Sequence, residues 1–524
     1  MDFKGSWRPL ERGESAFGVI FSNFDLQYDS CATVLENGRY KIVYEGVIWD
    51  FSDGEILSDP SILDRAFGYY TYVLFDKGKN EILIGTDRFG FCALYYAQEN
   101  GSFLFSSSLN LLKNCLKSIT PNFDAWDELL TLGDILGTKT VVTQISRARW
   151  GQKFLLTFNT VKTIDIWSPE TPLFLDKKQY IKENNNLLIE SMNVTKNHQK
   201  QKIIFLSGGH DSRRIAVAAN SIDMSVTYAT QVALNNSGMD EDTLIAEEVA
   251  HRLGQEIFTN PLPNSERILK DTELKDDLIS YESQYHGWVM HLLRNIPEGA
   301  MIYDGIVGDV TINGHFFVHN PSAISNYSNT DFLAQLICGG KKSFLDSRLV
   351  TSPLFERVRA ELALYPNSPH RMTYFFLFNH TRRNIGSWFL LFKKFGHVPC
   401  MPYIYYPLLI QSLSLDPKYY LENWMQMECL KHMNSEVAAI PSTRGIVPDG
   451  YVRDFRSKKR ADMELMIKNI RMRKDAKEVF VTLKRQIMFY DFFTKLGVRK
   501  HTHSSIWAPF LVSRFSKYLD WMDS

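Results

Sequence analysis

The sequence predicts an α/β protein in two units: a strand-rich, α+β N-terminal part, then a doubly wound parallel sheet finished by helices. Three observations carry that expectation. Short β-rich runs separated by turn residues fill the chain to about residue 165. Beyond it, strand and helix patterns alternate, which is the signature of a parallel sheet. Between them, Ile203-Ile204-Phe205-Leu206-Ser207-Gly208-Gly209-His210-Asp211-Ser212 reads as a buried strand, a tight turn and a helix start. The expected domains are 1–170 and 171–524.

The elements follow in order. Strands are expected at 41–47, 69–75, 81–86, 93–96 and 103–106, with a hairpin turn at Asp76-Lys77-Gly78-Lys79-Asn80. A further pair is expected at 152–157 and 163–167, and Ser168-Pro169-Glu170-Thr171-Pro172 reads as a linker. The second unit opens with a helix at 180–192, a strand at 202–206, a helix at 211–220 and a strand at 225–230. A helix at 241–253 stops at Gly254, and strands follow at 256–259 and 301–304. Past residue 330 the reading is mostly helical.

Composition narrows the function classes. Over 524 residues the formal net charge is zero, so nothing global points to nucleic acid or an anionic membrane surface. The six cysteines are scattered, with no Cys-x-x-Cys pair, which speaks against zinc and thioredoxin-like chemistry. Residues 1–15 have no apolar core of the signal-peptide kind, and the apolar runs at 388–392 and 403–409 are too short to span a bilayer. A cytoplasmic protein is expected, without nucleic-acid or membrane partners; a homodimer stays open.

The strand–Gly-Gly–helix string carries the chemistry. A helix opening there aims unpaired N–H groups and a positive dipole end at the turn, an anion site suited to phosphate. Asp211 beside polyphosphate makes sense with a divalent cation between them. A plain strand-to-helix turn is the alternative. The full Ser-Gly-Gly-x-Asp-Ser string looks like the pyrophosphate loop of ATP pyrophosphatases, and it lacks the Gly-Lys-Ser/Thr ending of a Walker loop. A second glycine-flanked acid, Asp309 in Asp304-Gly305-Ile306-Val307-Gly308-Asp309-Val310, follows another strand. Asp211 and Asp309 from adjacent strand ends can grip one Mg²⁺ against triphosphate.

With these strings the chain resembles the asparagine synthetase family across nearly its whole length. Ser207 to Ser212 matches the family's pyrophosphate loop, and Asp304 to Gly314 its second ATP loop, usually Ser-Gly-x-Gly-x-Asp-Glu. Glu241 to Ala246 resembles its Asp-Glu-x-x-x-Ala helix start. In the first half, 68–76, Asp87-Arg88-Phe89-Gly90 and Phe105-Ser106-Ser107-Ser108 are similar to its glutaminase domain. The resemblance implies an N-terminal αββα sandwich of the N-terminal-nucleophile type joined to an ATP-pyrophosphatase domain. It implies ATP contacts from Leu206, Ser207, Gly208, Gly209, Asp211, Ser212, Thr230, Asp304 and Gly305, and Mg²⁺ on Asp211 and Asp309.

The departures are as informative. The family's glutaminase needs an N-terminal cysteine whose α-amino group is the base. This chain starts Met1-Asp2, and Cys31 lies in an expected strand. The glutamine-gripping Asn-Gly-Glu-Ile-Tyr-Asn string is replaced by Glu45-Gly46-Val47-Ile48-Trp49-Asp50, so glutamine hydrolysis is expected to be lost. In the second half Val310 replaces a Glu, Cys400 to Tyr405 replaces an Arg-x-Pro-Phe-Leu-Asp string, and Arg444 falls near a catalytic lysine. Arg444 and Asp309 are the candidate catalytic residues. The expected activity is an ATP-dependent ligase or cyclase: a small-molecule or peptide carboxylate is adenylated, and an amine displaces AMP in a specialised biosynthesis. A non-catalytic scaffold is the alternative.

Other features weigh less. The basic stretch 452–500 reads as a solvated face before a docking site, and His501 and His503 as a loop before a metal pair. Tyr374-Phe375-Phe376 and 403–406 read as core before substrate wall, whereas Arg382, Arg383 and Asn384 fall where the family has a substrate-facing helix.

Overall fold

The computed structural model describes residues 4–7, 24–28, 32–157, 160–232, 241–261, 265–283, 289–339, 347–422 and 425–442. Arg444, Cys31, the basic stretch 452–500, His501 and His503 lie outside the described residues. No helix among the described residues is long and apolar enough to cross a membrane.

The first unit holds strands β1 (Lys4–Trp7), β2 (Phe24–Gln27), β3 (Thr33–Glu36), β4 (Tyr40–Ile48), β5 (Gly68–Asp76), β6 (Glu81–Thr86), β7 (Tyr95–Glu99), β8 (Ser102–Ser106), β9 (Ser146–Arg147), β10 (Gln152–Leu156) and β11 (Val161–Asp165). They form two antiparallel sheets, ordered β2-β1-β8-β7-β9 and β11-β10-β6-β5-β4-β3. Burial of alternating side chains fixes the layers. Val73, Ile84, Phe103, Phe105 and Phe154 fill the space between the sheets. On one outer face Tyr70, Tyr72 and Leu74 of β5 meet Ile56, Ile62 and Leu63 of two short helical segments, Asp53–Ser58 and Pro60–Asp64. On the other, Tyr95 and Ala97 of β7 meet Leu112, Trp126 and Leu129 of helices Leu109–Lys113 and Phe123–Thr131. The result is the four-layer αββα sandwich.

The second unit carries β12 (Lys202–Phe205), β13 (Thr227–Val232), β14 (Ile257–Pro261), β15 (Met301–Tyr303) and β16 (Val398–Cys400), all parallel in the order β14-β13-β12-β15-β16. The chain runs outward from β12 to β14, then returns to place β15 on its other side. The crevice between β12 and β15 is therefore a topological switch point, where doubly wound sheets bind ligands.

Two sequence expectations shift, and one strand was not foreseen. The strand expected at 93–96 runs Tyr95–Glu99, because Asn100 (φ 51) and Gly101 (φ 77) make the tight hairpin turn that an Asn-Gly pair favours. The helix expected at 180–192 runs Lys177–Lys196, because Asp176 accepts from the Lys178 and Gln179 amides and caps it earlier. The short strand β16 had no periodicity long enough to read.

One hydrophobic core crosses from the first unit to the second. Trp150 stacks on Phe378 at 4.4 Å between ring centroids, within a cluster that also holds Tyr69, Phe205 and Trp388. Buried charges cross it too. Glu282 pairs with Arg147 at 2.9 Å and with Arg383, and Arg357 meets Glu128 at 2.8 Å. Removing one partner of such a buried pair costs about 3–5 kcal/mol.

Candidate functional site

The β12 strand ends in the Leu206–Gly209 turn, and helix His210–Ser221 begins immediately after it. Gly209 is the N-cap and supplies no capping side chain. The turn is braced from within: the Ser207 and Ser212 hydroxyls are 2.9 Å apart, and the Gly209 amide donates to Ser207 Oγ at 3.2 Å. The Gly208 amide donates to Asp242 Oδ1 at 2.9 Å. Thus a carboxylate already sits on one of the amides that suit an anion.

Two arginines one turn into the helix hold the loop in place. Arg213 donates to the Gly208 carbonyl at 2.8 Å and to the Ile440 carbonyl at 2.8 Å, and it also reaches the Pro441 carbonyl. Burial pulls its pKa down to about 10, opposed by the charge of Asp242. Arg214 donates to Asn184 and Asn185 Oδ1, each at 2.8 Å, and to Gln426 Oε1. Gln426 in turn donates to Asp211 Oδ1. The Tyr403 hydroxyl donates to the Asp211 carbonyl at 3.0 Å.

The second loop follows β15. Asp304 Oδ1 accepts from the Ile306 amide at 2.8 Å, and burial, with Asp309 nearby, raises the Asp304 pKa to about 7. Val307 adopts φ 89, a left-handed conformation that is a genuine outlier for a β-branched residue. The loop lies directly on Asp211. A Cβ on Gly308 would fall 2.8 Å from Asp211 Oδ1, and one on Gly305 3.0 Å from Asp211 Cβ, so both approaches need glycine.

The two loops enclose one cavity of about 650 Å³ at the switch point. Leu206, Ser207, Asp211, Ser212 and Thr230 line it from the β12 and β13 side, and Asp304, Gly305 and Asp309 from the β15 side. Gly208 and Gly209 are not in its wall; their amides face Asp242 and Ser207. Of the three residues on the expected substrate-facing helix, Asn384 lines the cavity. Arg382 and Arg383 turn away into the unit interface, donating to the Ala148 and Lys139 carbonyls at 2.8 Å each.

Sequence reading missed several members. Gln426 lies 215 residues from the Asp211 it holds; Asp242 fell within the Glu241–Ala246 string, but its bond to Gly208, 34 residues away, was not read. His380 and Thr381 also line the cavity, with nothing in their local string to announce it. The Arg213-Arg214 pair, charged residues at buried helix positions, is a signal that could have pointed to the brace.

The donor set fits a cation held jointly with phosphate. Among the described residues no group of three or more histidine, cysteine, aspartate or glutamate side chains is arranged to hold a metal ion by itself. Mg²⁺ typically takes one or two carboxylates and completes its shell with water and phosphate oxygens. Asp211 and Asp309 supply that number from the two loops.

Comparison with known proteins gives partial matches. A glutamine amidotransferase domain matches residues 57–167. Asparagine synthetase [glutamine-hydrolyzing] 1 of Bacillus subtilis (strain 168) is 21% identical over 290 residues, covering 53% of this chain and 43% of the relative. Asparagine synthetase [glutamine-hydrolyzing] 2 of the same organism is 25% identical over 310 residues, covering 55% and 39%. The matched region thus spans less than half the length of these relatives. Among solved structures, glutamine phosphoribosylpyrophosphate amidotransferase from B. subtilis, complexed with ADP and GMP, has a TM-score of 0.19 at 9% identity, covering 61% of this chain and 77% of that one. The allosteric regulatory enzyme of purine biosynthesis has a TM-score of 0.20 at 8% identity, covering 58% and 68%. With an amidotransferase domain matched in its first unit and asparagine synthetases aligned over more than half of its residues, this chain is similar to the asparagine synthetases.

Proposed function

We propose that the chain is an ATP-dependent amide-forming ligase that activates a carboxylate and uses an amine other than glutamine-derived ammonia. One observation carries this reading: Asp211 and Asp309, from loops after β12 and β15, line the same cavity at the switch point. The first-turn amides of helix His210–Ser221 and the Ser207 turn suit a polyphosphate. A bound Mg²⁺ supplies positive charge against the phosphates.

The chain's own residues then have defined tasks. Asp211 and Asp309 hold the cation, Gln426 and Arg214 fix Asp211, and the start of helix His210–Ser221 faces the phosphates. A substrate carboxylate oxygen attacks the α-phosphorus of ATP, and the bond to pyrophosphate breaks. The amine nitrogen then forms the C–N bond at the acyl carbon. AMP leaves with the electron pair of the C–O bond, and the amine sheds a proton to solvent. Amides aimed at developing phosphate charge are worth about 3–4 kcal/mol each in comparable sites.

The first unit supports a glutamine-independent route. Glu45, where the family's glutamine-gripping string has an asparagine, is buried and bound to Lys393 of the second unit and to Ser107 Oγ at 2.7 Å. Its carboxylate joins the units. Burial holds the Cys92, Cys400 and Cys429 thiols above their ordinary pKa, which makes them poor nucleophiles.

The test is exchange of labelled pyrophosphate into ATP across a panel of amino acids and dicarboxylic acids, beside a glutaminase assay. Exchange that depends on one carboxylate, is lost in Asp211→Asn and Asp309→Asn, and comes with no glutamate release is the expected result. No exchange and no binding of an ATP analogue favours the scaffold. Glutamate release overturns the glutamine-independent part.

A further inference from the structure

Behind the second loop lies another cavity, of about 420 Å³, which shares Asp309, Val310 and His380 with the first. Its far wall is aromatic, built from Phe316, Phe317 and Phe376. Phe316 packs on Phe376 at 4.9 Å between centroids, and Phe317 stacks on Tyr420 at 5.8 Å, so the rings are held rather than loose. Leu132 and Asp134 close the cavity from the first unit. Among the described residues its titratable lining is Asp134, Asp309, His319 and His380, with no lysine or arginine.

Where the cavities meet, the side chains are fixed in place. His380 and Thr381 end a π-helical turn, Leu377–Thr381, a distortion found mostly at functional sites. His380 Nδ1 meets the Asp134 carboxylate at 2.9 Å, and its Nε2 meets Asn384 Nδ2 at 3.1 Å. Burial opposes protonation of His380, but the charge and hydrogen bond of Asp134, with Asp309 further off, hold its pKa above the ordinary value. Beside it the Thr381 hydroxyl is buried without a hydrogen-bond partner, and Thr381 lines the first cavity. A buried polar atom left unpaired is costly, and a ligand atom at this junction satisfies it.

We infer that the second cavity binds the amine co-substrate, and that this amine carries an aromatic or similarly bulky apolar body. The inference rests on the ATP reading of the first cavity. Ammonia needs no aromatic chamber of this volume, while apolar pockets with a few convergent polar groups are what small-molecule sites look like. An ammonium group there meets the Asp134 and Asp309 carboxylates, beside the His319 and His380 rings. Val310, in place of the acid expected after Asp309, lines both cavities and adds no further charge where they meet. On this reading the first unit is retained as one wall of the amine chamber, through Leu132 and Asp134.

Binding of 2-phenylethylamine to the full chain, followed by saturation-transfer NMR and calorimetry, tests this beside binding of a non-hydrolysable ATP analogue with Mg²⁺. The amine is expected to bind wild-type protein and not to be displaced by ammonium chloride at equal concentration. Leu132→Arg, which inserts bulk and positive charge from the first unit, is expected to weaken the amine at least tenfold and leave the analogue within twofold. Phe376→Ala, which only removes a ring, is the second variant should Leu132→Arg fail to fold, with the amine weakened severalfold. No amine binding by wild type, or unchanged binding in the variants, overturns the inference even where the analogue binds. Loss of analogue binding alone, with the amine retained, overturns the nucleotide reading instead.

Discussion

The two loops that meet over the first cavity are built on opposite terms. The loop after β12 is cross-linked: Ser207 with Ser212, Gly209 with Ser207, Gly208 with Asp242, and Arg213 across the back. In the loop after β15, Val307 sits at φ 89, and the Asp304 carboxyl is raised to about 7 by burial, with Asp309 adding to it. The first loop is a finished cradle. The second stores strain and unneutralised charge, which bound cation and phosphate can relieve. Strain of this kind, about 1–3 kcal/mol per outlier, gathers at binding sites and switch regions.

The largest effect should come from the acids. Asp309→Asn removes a charge from the strained loop and is expected to lower pyrophosphate exchange by about 10²- to 10³-fold, with little change in stability. Asp211→Asn should lose as much exchange. It should also lower stability by about 1–2 kcal/mol, since its charge-assisted bond from Gln426 weakens. Exchange rates and urea midpoints on both variants decide it. Equal stability losses would remove the distinction between a braced loop and a strained one.

Next comes the brace itself. Gln426 joins Arg214 to Asp211 at buried positions, so Gln426→Leu leaves both without that partner. A loss of about 2–4 kcal/mol is expected from the urea midpoint at unchanged m-value. A loss under about 0.5 kcal/mol, the scale of a neutral surface change, shows that the first loop stands without its brace.

How much of this was legible in the sequence follows the same division. The Ser207–Ser212 string was readable because strand, turn and helix start are local signals, each with its own residue chemistry. Asp309 was readable as an acid flanked by glycines after a strand. The brace was not, because Gln426, Asn184 and Asn185 meet Arg214 through tertiary packing that leaves no spacing in the chain. Nor was the second cavity, whose wall needs Asp134 and His380 from different units, 246 residues apart. The alternating patterns gave the strands but not their order, and it is the order β14-β13-β12-β15-β16 that brings the two loops together.

A smaller effect isolates the strain at Val307. This side chain is fully buried, so shortening it removes packing whichever residue replaces it. Alanine keeps the penalty of a left-handed backbone, while glycine is free of it. Val307→Gly is therefore expected to be more stable than Val307→Ala by about 1 kcal/mol, although it is the smaller residue. This reverses the order at an ordinary buried site, and thermal melts of the two proteins give the sign directly. Alanine above glycine would mean that position 307 relaxes and the second loop is no more strained than the first.

The smallest effect is the pH dependence of the nucleotide-free protein. Folding raises Asp304 from the ordinary carboxyl value to about 7, so the folded state holds that proton more tightly than the unfolded chain. The contribution is fully present at acid pH, below the unfolded value, and fades as pH rises through about 7. Because Asp304 keeps part of its surface open to the cavity, the fall from about pH 6 to about pH 8 should be about 1 kcal/mol or less. Asp304→Asn cannot release a proton, so its melting temperature should fall less over the same interval. The two curves should lie closest at acid pH, where the carboxyl is as neutral as the amide, and separate as pH rises. Parallel curves for wild type and variant would show that the Asp304 carboxyl is no more confined than a surface acid, and the charge half of the contrast between the loops would be withdrawn.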